Sequence, residues 1–331
     1  TGRTDLFSLF NFLLGTIQIF LNVFLIAFLR LGLTGMLLSS VLGQGLVSIC
    51  IMFKVRIWNL LDVRFIDARL AKEMFLYSLP LIPNKVSWTV INLSDRIIIM
   101  NVLGSSEAGL YAVAYKFPNL MDTVYGFFYQ SWKESSARVM GDSGREAFYN
   151  SVYGYLKNLL YSIVLGMIAF LPLVFRYIIN KAYSEALCYI PLLLLATYFS
   201  NLSGFYGGIF TAYKDTKIMG ITTIVAAVLN LIVHFSLIFF VGMYAAAIST
   251  LAANFIVYVY RRIKSEKYVH LKERWCEKII SIGATFGVVF MYYRNQMPMT
   301  VVSCIISVVY AVVMNHRLLS ALARNARGRK R

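Results

Sequence analysis

The chain has 331 residues, 59% of them apolar or aromatic and only 14% charged, against about 45–50% and about 25% in soluble domains. A water-soluble globule of this size has no interior large enough for so much apolar surface, which excludes an ordinary soluble enzyme, a disordered chain and a secreted disulfide scaffold. The net charge of +17 comes from 32 Lys and Arg against 15 Asp and Glu; a membrane protein carries such an excess on its cytoplasmic loops, so no nucleic-acid partner is expected.

A membrane crossing needs about 20 mainly apolar residues. Ten stretches meet that need: 9–29, 33–53, 76–102, 107–131, 157–177, 188–212, 218–240, 244–260, 279–294 and 299–315. With the N-terminus on the cytoplasmic side, 25 of the 32 Lys and Arg fall on that side and four on the other. This asymmetry fixes the orientation and puts both ends of the chain in the cytoplasm. The opposite loops are short, so no extramembrane catalytic domain is expected there. The inner segments 54–75, 133–156 and 261–278 look like basic interfacial helices, with Ile57, Leu60, Leu61, Arg64 and Phe65 showing the spacing in the first. Such helices lie against anionic lipid, and the tail Arg324–Arg331 has the same character. The chain opens on Thr rather than Met, which suggests an N-terminal truncation.

Ionisable groups inside a bilayer are costly and mark function. In the third span Lys85, Trp88, Thr89, Asn92 and Arg96 share one helical face, with Asp95 at its border. Lys85 is near enough to the cytoplasmic end to snorkel. Asp95 and Arg96 suit either a local ion pair between packed helices or a substrate or gating role. In the fourth span Lys116, Asn119, Thr123 and Gln130 align, and Pro118 breaks a backbone hydrogen bond beside them. Lys116 sits about ten residues from either end, and a mid-membrane ammonium calls for a carboxylate or a substrate phosphate. Weaker polar stripes occur at Asn11, Gly15, Gln18 and Asn22, at Thr197, Asn201, Gly204, Gly208 and Thr211, and at Thr223, Asn230 and His234. Each suits a wet cavity wall or interhelical hydrogen bonding with glycines allowing close packing.

There is no GxxxxGKS/T motif and no HExxH or similar metal-ligand spacing. The four Cys are scattered without CxxC spacing, so neither metal nor disulfide framework follows. No cofactor is expected. The spans hold too few carboxylates for an acid/base pair, so the chain is not expected to be an enzyme. More cations than anions suit an anionic substrate.

The run Pro80-Leu-Ile-Pro83, then Asn92-Leu-Ser-Asp-Arg96, Leu103-Gly104, Gly109-Leu-Tyr-Ala-Val-Ala-Tyr-Lys116 and Phe128-Tyr-Gln-Ser-Trp132 resembles the polysaccharide flippase family. That family shares a superfamily with the multidrug and toxic-compound extruders. The first two spans, joined by Leu31-Gly-Leu-Thr-Gly35, look like its fifth and sixth. The resemblance implies an all-α polytopic membrane protein of two six-helix bundles, often with two extra C-terminal helices. Mapped so, 1–53 holds the last two helices of the first bundle, 54–75 a cytoplasmic amphipathic linker and 76–260 the complete second bundle. A basic loop at 261–278, two extra helices at 279–315 and a basic tail at 316–331 follow. Four N-terminal helices would then be missing.

The implied function is to move a polyprenyl-diphosphate-linked oligosaccharide from the inner to the outer leaflet of a bacterial cytoplasmic membrane by alternating access of a cationic central cavity. O-antigen, capsule or exopolysaccharide would be the final product. Membrane lipids, polysaccharide polymerase and chain-length machinery are the implied partners. Lys116 and Arg96 become candidate diphosphate or acidic-sugar contacts and Lys85 an entry contact. Asn92, Asn119, Thr123 and Asn201 become candidate sugar contacts, and Asp95 and His234 candidates for ion coupling. A multidrug exporter of the same superfamily would be expected to carry unpaired carboxylates in its cavity. A membrane polymerase or glycosyltransferase would need a sizeable extramembrane loop.

Overall fold

A computed structural model describes residues 4–56, 58, 67–272, 274–294 and 296–320. The described residues are helical and contain no strand. They divide into two compact units, Thr1–Lys72 and Glu73–Arg331. Residues 57 and 59–66 of the amphipathic stretch at 54–75 and all of 321–331 lie outside the described residues, as does the side chain of Asn11.

In the first unit α1 (Thr4–Asn22) runs into a π-helical turn, Val23–Phe28, and returns as α2 (Gly32–Val55). The return is tight. A Cβ on Gly35 would lie 3.1 Å from the Leu25 carbonyl oxygen, so a larger residue there would push the two backbones apart by a few tenths of an ångström. Ser39 Oγ donates to Asn22 Oδ1 at 2.5 Å and Gln18 Nε2 to Ser40 Oγ at 2.9 Å. Gln18 and Asn22 therefore join the two helices of this hairpin by hydrogen bonds.

The second unit is entered through α3 (Ala68–Ser78) and continues as α4 (Leu81–Val102), α5 (Ser105–Ala114), α6 (Lys116–Val139) and α7 (Arg145–Tyr177). A 3-10 turn, Lys181–Cys188, precedes α8 (Ile190–Ala212), α9 (Thr216–Val241), α10 (Tyr244–Ser265), α11 (Trp275–Arg294) and α12 (Met297–Met314). The expected third span, 76–102, is broken. Pro80 has no N–H to continue α3 and instead caps α4. The expected fourth span, 107–131, is also two helices. The Pro118 ring would collide with the carbonyl four residues back, at Ala114, where α5 stops.

The inner segments expected at 133–156 and 261–278 are not separate surface helices. α6 continues to Val139 and α7 starts at Arg145, with Ser136, Tyr149 and Tyr153 buried. α10 continues to Ser265, which places Arg261 inside the bundle at 2% exposure rather than in a solvated loop. Just beyond it, Tyr268 donates to Asp215 Oδ2 at 2.6 Å. Burial first, and then that carboxylate, push its phenol up to about 12, so the contact keeps its proton across the physiological range.

Among the described residues, five helices can cross a membrane by length and apolarity alone, or six if the bent pair Lys181–Cys188 and Ile190–Ala212 is one span. The chain is a multi-pass membrane protein. The helices that miss the test include α4, with Lys85, Asp95 and Arg96, and α6, with Lys116, Asp122 and Lys133. Both trade apolar residues for charge.

An aromatic seam fastens α6 to α8. Trp132 is buried, stacks on Phe205 with centroids 4.2 Å apart and donates its Nε1–H to the Phe205 carbonyl at 2.9 Å. Its indole occupies the space a side chain on Gly208 would need, and the Tyr125 hydroxyl lies 2.6 Å from where a Cβ on Gly204 would be. Here the stripe of α8 glycines serves close packing.

Candidate functional site

Two polar assemblies stand out in the second unit, one open and one buried. The open one lies on α4 and α6. Lys85, Thr89, Asn92 and Arg96 are all exposed on α4, the spacing of one helical face. Lys116, Asn119 and Thr123 are exposed on α6, as is Asp122. Tyr115, at the kink between α5 and α6, ties the two helices together. Its hydroxyl donates to Asn92 Oδ1 at 2.9 Å, and the Arg96 guanidinium carbon lies 5.8 Å from its ring centroid. The Pro118 kink thus sets the tyrosine that joins Asn92 and Arg96 directly before Lys116. Asn201 stands apart from that face: it is buried on α8, next to the Asp122 carboxylate, and its Nδ2 falls short of a geometric hydrogen bond. Sequence reasoning missed Tyr115. Its position one residue before Lys116 was the available signal, but a tyrosine in an apolar helix is ordinary core.

The buried assembly centres on Asp95, which is 1% exposed. It does not turn to Arg96. Its Oδ1 meets His234 Nδ1 at 2.8 Å, and its Oδ2 accepts from the Tyr111 hydroxyl at 3.0 Å and from Thr250 Oγ1 at 2.6 Å. Asn230 Nδ2 extends the network to Ser249 and Thr250. Four helices, α4, α5, α9 and α10, meet at this one carboxylate. The donor in the bond between His234 and Asp95 follows the imidazole tautomer. With the proton on Nδ1, His234 donates to the carboxylate and Nε2 is left as an acceptor. That Nε2 is buried without a hydrogen-bond partner among the described residues. A proton arriving there would create an imidazolium against a carboxylate and leave the carboxylate's three bonds in place.

A third cluster was not anticipated. The buried Arg261 guanidinium donates to Thr222 Oγ1 at 3.1 Å, the Ser203 carbonyl at 3.2 Å, Asn84 Oδ1 at 3.2 Å and the Met219 carbonyl at 3.4 Å. It ties α4, α8, α9 and α10 at one end of the bundle through neutral acceptors alone. Nothing in the sequence separated it from the six other cations of 261–278. Arg261→Lys keeps the charge but cannot fork to four acceptors on three helices. The variant is expected to melt at lower temperature in detergent while expressing as a folded protein, by about 1–3 kcal/mol of stability.

Among the described residues no group of His, Cys, Asp and Glu has metal-ligand geometry.

The chain and its fold have counterparts among known proteins. A family model described as "Polysaccharide biosynthesis protein" matches residues 7–130, which takes in α1 to α5 and the start of α6. No curated protein sequence matches significantly. Among solved structures, the lipid II flippase MurJ in an inward closed conformation superposes with a TM-score of 0.62 at 14% identity, over 94% of this chain and 67% of that one. A crystal structure of a MATE mutant superposes with a TM-score of 0.64 at 15% identity, over 78% of this chain and 62% of that one. An outward-facing multidrug resistance MATE transporter of the MOP superfamily gives 0.51 at 15% identity, over 74% and 64%. The chain spans about two thirds of the length of the structures it matches. The all-α fold of this chain is the one these three structures share.

Proposed function

We propose that this chain is the larger part of a flippase that carries a polyprenyl-diphosphate-linked oligosaccharide from the cytoplasmic to the outer leaflet of a bacterial inner membrane. The observation that carries the reading is the exposed face of α4 and α6, where Arg96, Lys85 and Lys116 stand among Asn92, Asn119 and Thr123. A diphosphate and its sugars cross hydrocarbon only if other polar groups replace their water. Guanidinium and ammonium groups suit the diphosphate, and amides and hydroxyls suit sugar hydroxyls. Asn201, buried beside Asp122, is the candidate sugar contact that cargo reaches only once the bundle opens. The lipid tail stays in the bilayer while rocking exposes the polar face to each side in turn. Both ends of the chain face the cytoplasm in this reading, and the polymerase and chain-length machinery act on the product.

Asp95 and His234 are the proposed coupling pair, with Nε2 of His234 as the proton acceptor. Tyr111 and Thr250 face the same carboxylate from α5 and α10. With a tagged cargo in reconstituted vesicles, His234→Phe is expected to leave downhill flipping intact and remove its acceleration by a proton gradient. Unchanged acceleration in a folded variant would reject the pair.

The main test is mass spectrometry of lipid-linked glycans in cells lacking the full-length gene and rescued with wild type or with Lys116→Ala/Arg96→Ala. Complete repeat units are expected to accumulate on the cytoplasmic leaflet, with relief by wild type. The double variant loses two charge-assisted contacts, each about 1.5–3 kcal/mol, so its flux is expected to fall at least tenfold. An unchanged glycan pool would reject the polysaccharide reading in favour of drug export. Units lacking a sugar would point to a glycosyltransferase instead.

A further inference from the structure

Three carboxylates lie on α4 and α6, and two of them are engaged within the protein. Asp95 is buried against His234, Tyr111 and Thr250, and Glu134 pairs with Arg138 one turn away. Asp122 is exposed and has no ion pair among the described residues. The packing around it is open. Gly126, four residues on, has nothing within 4 Å of where a side chain would begin, so a hollow lies one turn along the same stripe of α6. On the α8 side of that stripe two polar groups are buried without a hydrogen-bond partner among the described residues. They are Asn201 Nδ2, beside the Asp122 carboxylate, and the Tyr125 hydroxyl, within that carboxylate's electrostatic reach. Buried polar groups in native structures are nearly always satisfied, so an unmet donor pair beside an unmet carboxylate calls for a ligand. Tyr129, next on the stripe, turns its hydroxyl toward α8, 3.7 Å from where a Cβ on Gly207 would be. Tyr125 stacks on its ring at 5.7 Å and Lys133 Nζ lies 5.1 Å from it. It ends the hollow and does not fill it.

Charge changes sign along α6. At 1.5 Å per residue, Lys116 lies about 9 Å from Asp122 along the axis on one side and Lys133 about 16 Å on the other. A diphosphate suits Lys116 and Arg96 but not Asp122, because like charges brought together weaken binding. A sugar ring suits Asp122. An ionised carboxylate accepts from two hydroxyls at once, and such charge-assisted bonds are about twice as strong as neutral ones. The amide of Asn201 donates to a ring or hydroxyl oxygen, and the phenol of Tyr125 can do either.

Resting on the flippase reading above, we propose that Asp122, Asn201, Tyr125 and the hollow at Gly126 form a subsite for one uncharged sugar of the cargo, adjoining the diphosphate contacts. Asp122 sets the specificity of that subsite. It accepts from the hydroxyls of a neutral hexose and repels a sugar that carries its own carboxylate, so discrimination comes from the rejected competitor as much as from the bound ring. A cavity selecting by its cations alone would favour the acidic sugar, the opposite result.

The test uses the full-length protein in detergent micelles and native mass spectrometry, with three probes: undecaprenyl diphosphate, and the same lipid carrying one glucose or one glucuronic acid. Wild type is expected to retain the glucose probe in preference to the glucuronic acid probe. Asp122→Asn, checked for an unchanged melting temperature, keeps the shape and removes the charge. It is expected to narrow that preference at least tenfold, chiefly by gaining glucuronic acid, since a like-charge contact costs more than that in affinity. Gly126→Leu, which fills the hollow, is expected to lose both sugar probes at least tenfold relative to undecaprenyl diphosphate. A wild-type preference for glucuronic acid, or a preference that Asp122→Asn leaves unchanged, would overturn the subsite. So would retention of the sugar probes by Gly126→Leu as by wild type, equal loss of all three probes in both variants, or retention of no probe at all. Flipping of the same probes in vesicles separates this inference from the reading beneath it. A protein that shows the Asp122-dependent preference but moves none of the probes keeps the subsite and loses the flippase.

Discussion

Asp95→Ala is expected to cost the second unit about 3–5 kcal/mol, the loss seen when one partner of a buried charged network is removed. Alanine leaves His234 Nδ1, the Tyr111 hydroxyl and Thr250 Oγ1 without the acceptor they share. Magnitudes decide what the measurement means. Neutral interhelical hydrogen bonds in membranes average only about 0.6 kcal/mol, so three of them would total about 2. Each buried donor left open adds about 1–3 kcal/mol, which lifts the expected loss above that total. Asp95→Asn retains one acceptor oxygen but turns an amide N–H₂ toward a hydroxyl or the imidazole, and is expected to fall between wild type and alanine. Reversible unfolding in mixed micelles gives the ranking wild type, Asn, Ala. An alanine variant as stable as wild type would remove Asp95 from the list of groups that hold the four helices together.

Much of the architecture is legible in the residues. Long apolar runs and the Lys/Arg asymmetry give the membrane class, because hydrocarbon tolerates nothing but internally hydrogen-bonded segments. The places that escaped are those where tertiary context overrides pattern. A span-counting window crosses Pro80 and Pro118 without noticing that each ends a helix, because both neighbours are apolar. Helical periodicity places Lys85, Asn92 and Arg96 on one face of α4. It cannot show that Asp95, one residue from Arg96, turns inward to His234, which lies 139 residues further along the chain. Arg261 is the plainest case. Charge counting assigns it to a basic loop, and only the meeting of α4, α8, α9 and α10 shows that its guanidinium is buried.

The glycines of α8 were ambiguous for a related reason: a stripe of small residues suits either a wet cavity or a close helix contact, and the partner side chain decides. That partner makes a sharp prediction. Gly208→Ala is expected to destabilise the protein by about 2–5 kcal/mol, although a Gly to Ala change within a helix gains about 1 kcal/mol from propensity alone. The added methyl falls on the Trp132 indole. Trp132 has nowhere to go, since Phe205 stacks on it at 4.2 Å and Tyr149 meets it edge-on at 5.4 Å. Overpacking costs about 1–3 kcal/mol. Displacing the indole also breaks its 2.9 Å bond to the Phe205 carbonyl, a buried donor left open at about 1–3 kcal/mol more. Gly154→Ala on α7, where nothing lies within 4 Å of the new methyl, is the control and is expected to be neutral or slightly stabilising. Adding Trp132→Phe to Gly208→Ala removes both the clashing nitrogen and its need for an acceptor, so the pair is expected to be more stable than the two separate losses summed. Strict additivity in that double-mutant cycle would show that Gly208 and Trp132 do not act through each other. The contact of α6 with α8 would then have to be held elsewhere, with Tyr125, whose hydroxyl lies 2.6 Å from where a Cβ on Gly204 would be, as the next place to test.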